Sequence, residues 1–132
     1  MRRIRLDSKG RKAVPFEWEE QVALVELMTI AKIDFYFVPN GGMFPVQHRA
    51  RLARMGLQPG VPDICIVTPP PRHQPEWKNC RGVYIEMKRV RGGRVSPEQQ
   101  HWHDKLRKAD CYVVVARGFE DARNALIQMG YL

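Results

Sequence analysis

Gly82-Val83-Tyr84-Ile85-Glu86-Met87-Lys88 reads as a single β-strand, since β-branched and aromatic residues fill it and a proline-rich segment precedes it. Alternate side chains of a strand share a face. Val83, Ile85 and Met87 therefore point one way, while Tyr84, Glu86 and Lys88 point the other. The preceding β-rich run, Pro62-Asp63-Ile64-Cys65-Ile66-Val67, opens with an acid at the end of a Gly60-Val61-Pro62-Asp63 turn. If these two strands pair as antiparallel neighbours, Asp63 lies beside Glu86. Adjacent carboxylates repel unless something positive stands between them, and Mg²⁺ suits such oxygen ligands. Lys88 would add a fixed charge able to orient an attacking water or to stabilise charge developing on a phosphate. Taken alone, Glu-x-Lys describes an ion pair on a solvated strand face equally well. The upstream Pro-Asp adds weight to the chemical reading.

Outward from this pair the chain alternates in type. Residues 1–14 read as a flexible basic arm. Pro15 opens a helix over Phe16–Lys32, and Phe35–Val38 is a short strand ended by the Pro39-Asn40-Gly41-Gly42 turn. A short basic helix covers His48–Met55 and stops at Gly56. The segment Thr68–Arg81 holds four prolines and reads as a loop. Ser96 as N-cap, Pro97 at the first helical position and Gln99 closing a capping box start a helix that runs to Ala109. Tyr112–Ala116 is an apolar strand, and Phe119–Met129 is the last helix. The order α-β-α-β-β-α-β-α predicts one α/β domain, 15–132, with a central mixed sheet flanked by helices.

Polar residues also fall on apolar helical stripes. A 100° step puts Glu17, Glu20, Gln21, Leu24, Leu27, Met28 and Ala31 on one face of the first helix, with Glu19 and Glu26 opposite. Acids in a first turn also suit the helix macrodipole, which leaves Glu20 open between two roles; Gln21 gains little from it. On the later helix Gln99 shares a stripe with Trp102, Leu106 and Ala109. Gln99 could be occupied by the capping box, or could hold a phosphate oxygen or a metal-bound water.

The 132 residues are 44% apolar and 27% charged, enough for one buried core. No apolar run reaches the roughly 18–20 residues of a membrane span, and no signal-peptide pattern follows the basic start. A soluble, intracellular protein is expected. The net charge of +8 points to a polyanionic partner, nucleic acid being the commonest. Three cysteines without a Cys-x-x-Cys pair argue against a disulfide framework or structural zinc; Cys65 and Cys111 read as small hydrophobes. His101 and His103, two apart on a helix, splay too far for a zinc site.

Together, Glu17-Trp18-Glu19-Glu20-Gln21, Pro39–Gly42, Gly60–Asp63, Tyr84–Lys88, Ser96–Gln99 and Val115–Ala122 resemble the VRR-NUC family of the PD-(D/E)XK nuclease superfamily, over Phe16 to Leu132. The resemblance implies a restriction-endonuclease-like core and one or two Mg²⁺ or Mn²⁺ ions. It makes Asp63 and Glu86 metal ligands, with the Met87 carbonyl as a third. Lys88 becomes the catalytic lysine, Glu17 and Gln21 the first-helix acid and its companion, and Gln99 the active-site glutamine. Between the first-helix acids, Glu17 is preferred to Glu20 because it precedes Gln21 by one turn. Small stand-alone members resemble phage proteins and act as homodimers, which would place the protein in a bacterial host's cytoplasm. The family's association with replication, repair and recombination suggests branched DNA, such as four-way junctions or flaps.

Arg49, Arg51 and Arg54 before Asp63, and Arg89, Arg91 and Arg94 after Lys88, are candidate phosphate contacts, with Gly92-Gly93 permitting close backbone approach. Each could equally be a solvated surface charge. No motif for base readout is evident. The expected activity is thus a metal-dependent DNA endonuclease. A catalytically inactive nucleic-acid-binding module and a sequence-specific restriction-type nuclease are the alternatives.

Overall fold

The computed structural model describes residues 4–40 and 43–132. Helix α1 spans Glu17–Ile30, strand β1 Phe35–Phe37, α2 Val46–Arg54, β2 Ile64–Ile66, β3 Val83–Lys88, α3 Pro97–Lys108, β4 Tyr112–Arg117 and α4 Phe119–Met129. The element order is the expected one, and boundaries move by a few residues where ends fray into turns. Gly41 and Gly42 of the expected turn lie outside the described residues, as do residues 1–3 of the basic arm.

The four strands form one sheet in the order β1-β2-β3-β4. β1 pairs antiparallel with β2, and β2 with β3, with Ile64 opposite Ile85 and Ile66 opposite Val83. β4 joins β3 in parallel, Val83 opposite Tyr112 and Lys88 opposite Arg117. A parallel partner needs a crossover, and α3 supplies it. The odd-numbered face of β3 (Val83, Ile85, Met87) and the same face of β2 (Ile64, Ile66) close onto Leu24 and Met28 of α1 and Ala122, Leu126 and Met129 of α4. Burying these side chains drives the fold: truncating one such as Ile85 to alanine typically costs about 2–5 kcal/mol. The opposite face of β3 turns Glu86 towards α3.

Local signals explain the element ends. Glu17, Glu19 and Glu20 crowd the first turn of α1, and the Glu19 carboxylate accepts the Phe16 N–H at 2.6 Å. Ser96 Oγ accepts the Gln99 N–H at 3.2 Å, and Gln99 Oε1 accepts the Ser96 N–H at 2.9 Å, forming the predicted capping box. Gly130 ends α4 with φ of 88°, a left-handed cap that favours glycine.

Within the basic N-terminal segment, expected as a flexible arm, Leu6 bridges Lys12, the Asp7 N–H donates to the Arg11 carbonyl at 2.7 Å, and the Arg5 guanidinium stacks 3.7 Å from the Phe16 ring centroid. Two expectations need correction. The proline-rich loop carries one turn of 3-10 helix, Pro75–Trp77, which inserts Trp77 into the core edge-on to Tyr112 at 5.9 Å. Ala31 and Ala109, placed on buried stripes by periodicity, are exposed C-caps, because both helices end one residue earlier. Cys65 is buried as expected, while Cys111 is only partly so; both are free thiols. No helix among the described residues is long and apolar enough to cross a membrane.

Candidate active site

The β2–β3 register places Asp63 one position before the Ile64–Ile85 pair, next to Glu86. Asp63 Oδ2 accepts the Met87 N–H at 2.8 Å, so the side chain takes the ladder bond that a further strand residue would have made. The turn delivering Asp63 requires Gly60. Its φ is 90°, and a Cβ there would stand 2.4 Å from the Glu98 backbone, so only glycine lets the turn lie against the start of α3.

Glu86, Lys88 and Gln99 form one network. Gln99 Nε2 donates to Glu86 Oε1 at 2.6 Å, and Lys88 Nζ donates to Gln99 Oε1 at 2.9 Å. Lys88 Nζ also lies 3.2 Å from Glu86 Oε1. The amide orientation of Gln99 is fixed by these partners, since its oxygen meets two donors and its nitrogen meets a carboxylate. Gln99 therefore closes the capping box and contacts Glu86 and Lys88 at once.

Asp63, Glu86 and Lys88 are all buried, with exposures of 8%, 1% and 6%. Burial raises the Asp63 pKa to about 6, against the lowering effect of the Met87 N–H. Burial, and then the Asp63 charge, raises that of Glu86 to about 8 despite Lys88. Two carboxylates held this far above their usual range are short of positive charge. Glu86 Oε2 is moreover buried without a hydrogen-bond partner.

This donor set fits a hard divalent cation held by two carboxylates and completed by water and backbone oxygen. The Met87 carbonyl is available on the correct edge. The Lys88 carbonyl accepts the Gly118 N–H on the β4 side, and successive strand residues alternate edges, so Met87 presents its backbone groups on the Asp63 side. Among the described residues no cluster of three or more His, Cys, Asp and Glu side chains could hold a metal. Glu17 contributes its charge to the raised pKa of Asp63.

Glu17 and Gln21 line a cleft of about 650 Å³ whose wall also includes Asp63. Glu20 does not; its carboxylate accepts the Phe119 N–H at 2.7 Å and caps α4. The cleft is otherwise bordered by Phe16, Trp18, Phe37 and Met43, all exposed, which the sequence did not reveal as neighbours. Arg89 reaches the cleft as well, held by the Val14 carbonyl at 3.3 Å and by the Phe16 ring. Arg49, Arg51, Arg54, Arg91 and Arg94 are exposed; Arg49 donates to the Phe44 carbonyl at 3.0 Å and Arg51 contacts His48 at 3.2 Å. A Cβ on Gly93 would lie 3.0 Å from the Lys88 Cβ, so this glycine serves the folding of the loop back onto the site strand.

One site residue was missed. His103 is 1% exposed and faces Glu86 Oε2 at 4.0 Å. The signal was its spacing: four residues after Gln99, it lies on the same face of α3.

Comparison with known proteins bears on the family and the fold. The sequence pattern of the VRR-NUC domain matches residues 35–120. The chain belongs to the VRR-NUC family. The matched VRR-NUC span contains Asp63, Glu86, Lys88 and Gln99 and begins after Glu17 and Gln21. A solved structure of a VRR_NUC domain protein superposes with a TM-score of 0.69 over 91% of this chain and 92% of that one, at 22% identity. That likeness establishes the fold. No curated protein matches the sequence. VRR-NUC is a nuclease-type family within the PD-(D/E)XK superfamily, as the motifs implied.

Proposed function

We propose that this VRR-NUC protein is a divalent-metal-dependent DNA endonuclease with Asp63, Glu86 and Lys88 at its catalytic centre. The observation that carries this reading is the buried Asp63–Glu86 pair, with Lys88 and Gln99 bonded to one oxygen of Glu86 and the other left unpartnered. Asp63 and Glu86, with the Met87 carbonyl, would hold Mg²⁺ or Mn²⁺. A cation bound there supplies Lewis-acid charge to an anionic phosphodiester.

The chain's own residues do the rest. Lys88 keeps its ammonium beside Glu86, where it can meet charge developing on the phosphate or orient the attacking water. Gln99 restrains both side chains from a rigid helix start, so little reorganisation is needed during reaction. Glu17 and Gln21 present polar groups from α1 into the cleft that Asp63 also lines. The exposed arginines, with a net charge of +8, supply phosphate contacts that place a duplex without reading its sequence. The sequence offers no motif for base readout, which favours recognition of branched DNA by shape, with a homodimer spanning a symmetric junction.

Labelled linear duplex, flap and four-way junction DNA, incubated with Mg²⁺, Mn²⁺ or EDTA, tests the proposal. Metal-dependent products are expected, with branched substrates preferred. An absence of product on every substrate with either metal would favour a DNA-binding module instead.

A further inference from the structure

His103 and Glu86 meet across the boundary between the sheet and α3. The imidazole Nε2 and the carboxylate Oε2 are 4.0 Å apart. Both residues are about 1% exposed, and neither atom has a hydrogen-bond partner. Buried polar atoms are rarely left unpaired, because they lose water without replacement. Here the two orphaned atoms face each other. A hydrogen bond needs an approach of about 1 Å, within reach of a small turn of the carboxylate.

We propose that His103 is a positioning residue for Glu86, its Nε2–H donating to Oε2 and fixing the rotation of the carboxylate. A carboxylate offers about four lone-pair sites. Gln99 and Lys88 already engage Oε1. His103 takes one site on Oε2, and the last remains for the cation shared with Asp63. That final clause rests on the metal reading above; the His103–Glu86 contact does not. Gln99 and His103 are one helical turn apart, so a single helix grips both oxygens of Glu86. Partners behind a ligating carboxylate commonly set its geometry in this way.

Two measurements decide the matter. Nitrogen NMR of the imidazoles in the metal-free protein at about pH 9.5, where Glu86 is ionised, reads the tautomer of His103. The Nε2–H form is expected, with a resonance that moves in Glu86→Gln; an Nδ1–H form, or no response, overturns the contact. Mn²⁺ titration followed by electron paramagnetic resonance then reads the consequence, with circular dichroism confirming each fold. His103→Leu should bind Mn²⁺ about 10–100-fold more weakly than the parent. His103→Gln, which retains an N–H donor, should recover most of that loss. Parent-like affinity in His103→Leu contradicts the positioning role. If the leucine variant does not fold, the glutamine variant decides: near-parent affinity supports the role, and affinity lost despite a native fold overturns it. A parent protein that takes up no Mn²⁺ defeats the metal reading, while the tautomer still decides the contact.

Discussion

Gln99 donates to Glu86 Oε1 at 2.6 Å while its own amide oxygen receives both Lys88 Nζ and the Ser96 N–H, each at 2.9 Å. One side chain thus ties the start of a helix to two members of the proposed catalytic centre. Its two roles are separable by mutation. Ser96→Ala removes the cap alone and should cost about 0.5–2 kcal/mol in denaturant unfolding, with cleavage close to the parent rate. Gln99→Ala should cost comparable stability and slow cleavage about 10–100-fold as well, because Lys88 and Glu86 lose their shared partner. Equal cleavage by both variants would make Gln99 a cap only.

Glu17 and Glu20, neighbours on one helical stripe, have divided roles. Glu20→Ala frees the Phe119 N–H at the start of α4 and should destabilise by about 1 kcal/mol, with the cleavage rate per folded molecule retained. Glu17→Ala removes a cleft carboxylate and should lower cleavage with little change in unfolding. Urea melts and single-turnover rates of the two variants check this. The opposite pattern would exchange their assignments.

The raised carboxylates make the protein pH-sensitive. Asp63 is pushed up to about 6 and Glu86 to about 8, whereas unfolded carboxylates titrate near 4. Between those limits the metal-free fold holds protons that the unfolded chain has released. This contribution therefore lowers stability as pH rises from about 4 to about 8. The same protons must leave before a cation binds, so Mn²⁺ should stabilise the fold more at about pH 8 than at about pH 5.5. Thermal melts at both values, with Mn²⁺ and with EDTA, measure the difference. Equal Mn²⁺ stabilisation at both would contradict the assignment of the pair as ligands.

The exposed arginines should act through phosphates. DNA affinity is expected to fall steeply with salt, and Arg91→Ala or Arg94→Ala should each reduce the slope of log affinity against log salt by about 1. A salt-independent affinity would remove the phosphate-contact account. Arg89 is a different case, because its guanidinium also holds Val14 and Phe16; Arg89→Ala should loosen the N-terminal hairpin in addition.

Much of the candidate site was legible because its residues broke a pattern. Glu86 and Lys88 stood out on a β-strand, Asp63 followed a glycine-proline turn, and Gln21 and Gln99 interrupted apolar stripes. Strand periodicity and turn chemistry carry such signals locally. His103 was missed because it was weighed only with His101, for zinc, and because the count of apolar residues favoured a stripe through Trp102, which is only half-buried. Trp77 was hidden in a loop without period. The cleft of Phe16, Trp18, Phe37 and Met43 brings α1 beside β1 and its following loop, a tertiary relationship with no local signature.

The most direct measurement is the single-turnover cleavage rate of Lys88→Ala beside its DNA affinity, in Mg²⁺ or Mn²⁺. With its ammonium gone from beside Glu86, the variant should bind DNA within a few-fold of the parent and cut it about 10²–10³-fold more slowly. A Lys88→Ala protein that cuts as fast as the parent would contradict the catalytic centre assigned to Asp63, Glu86 and Lys88.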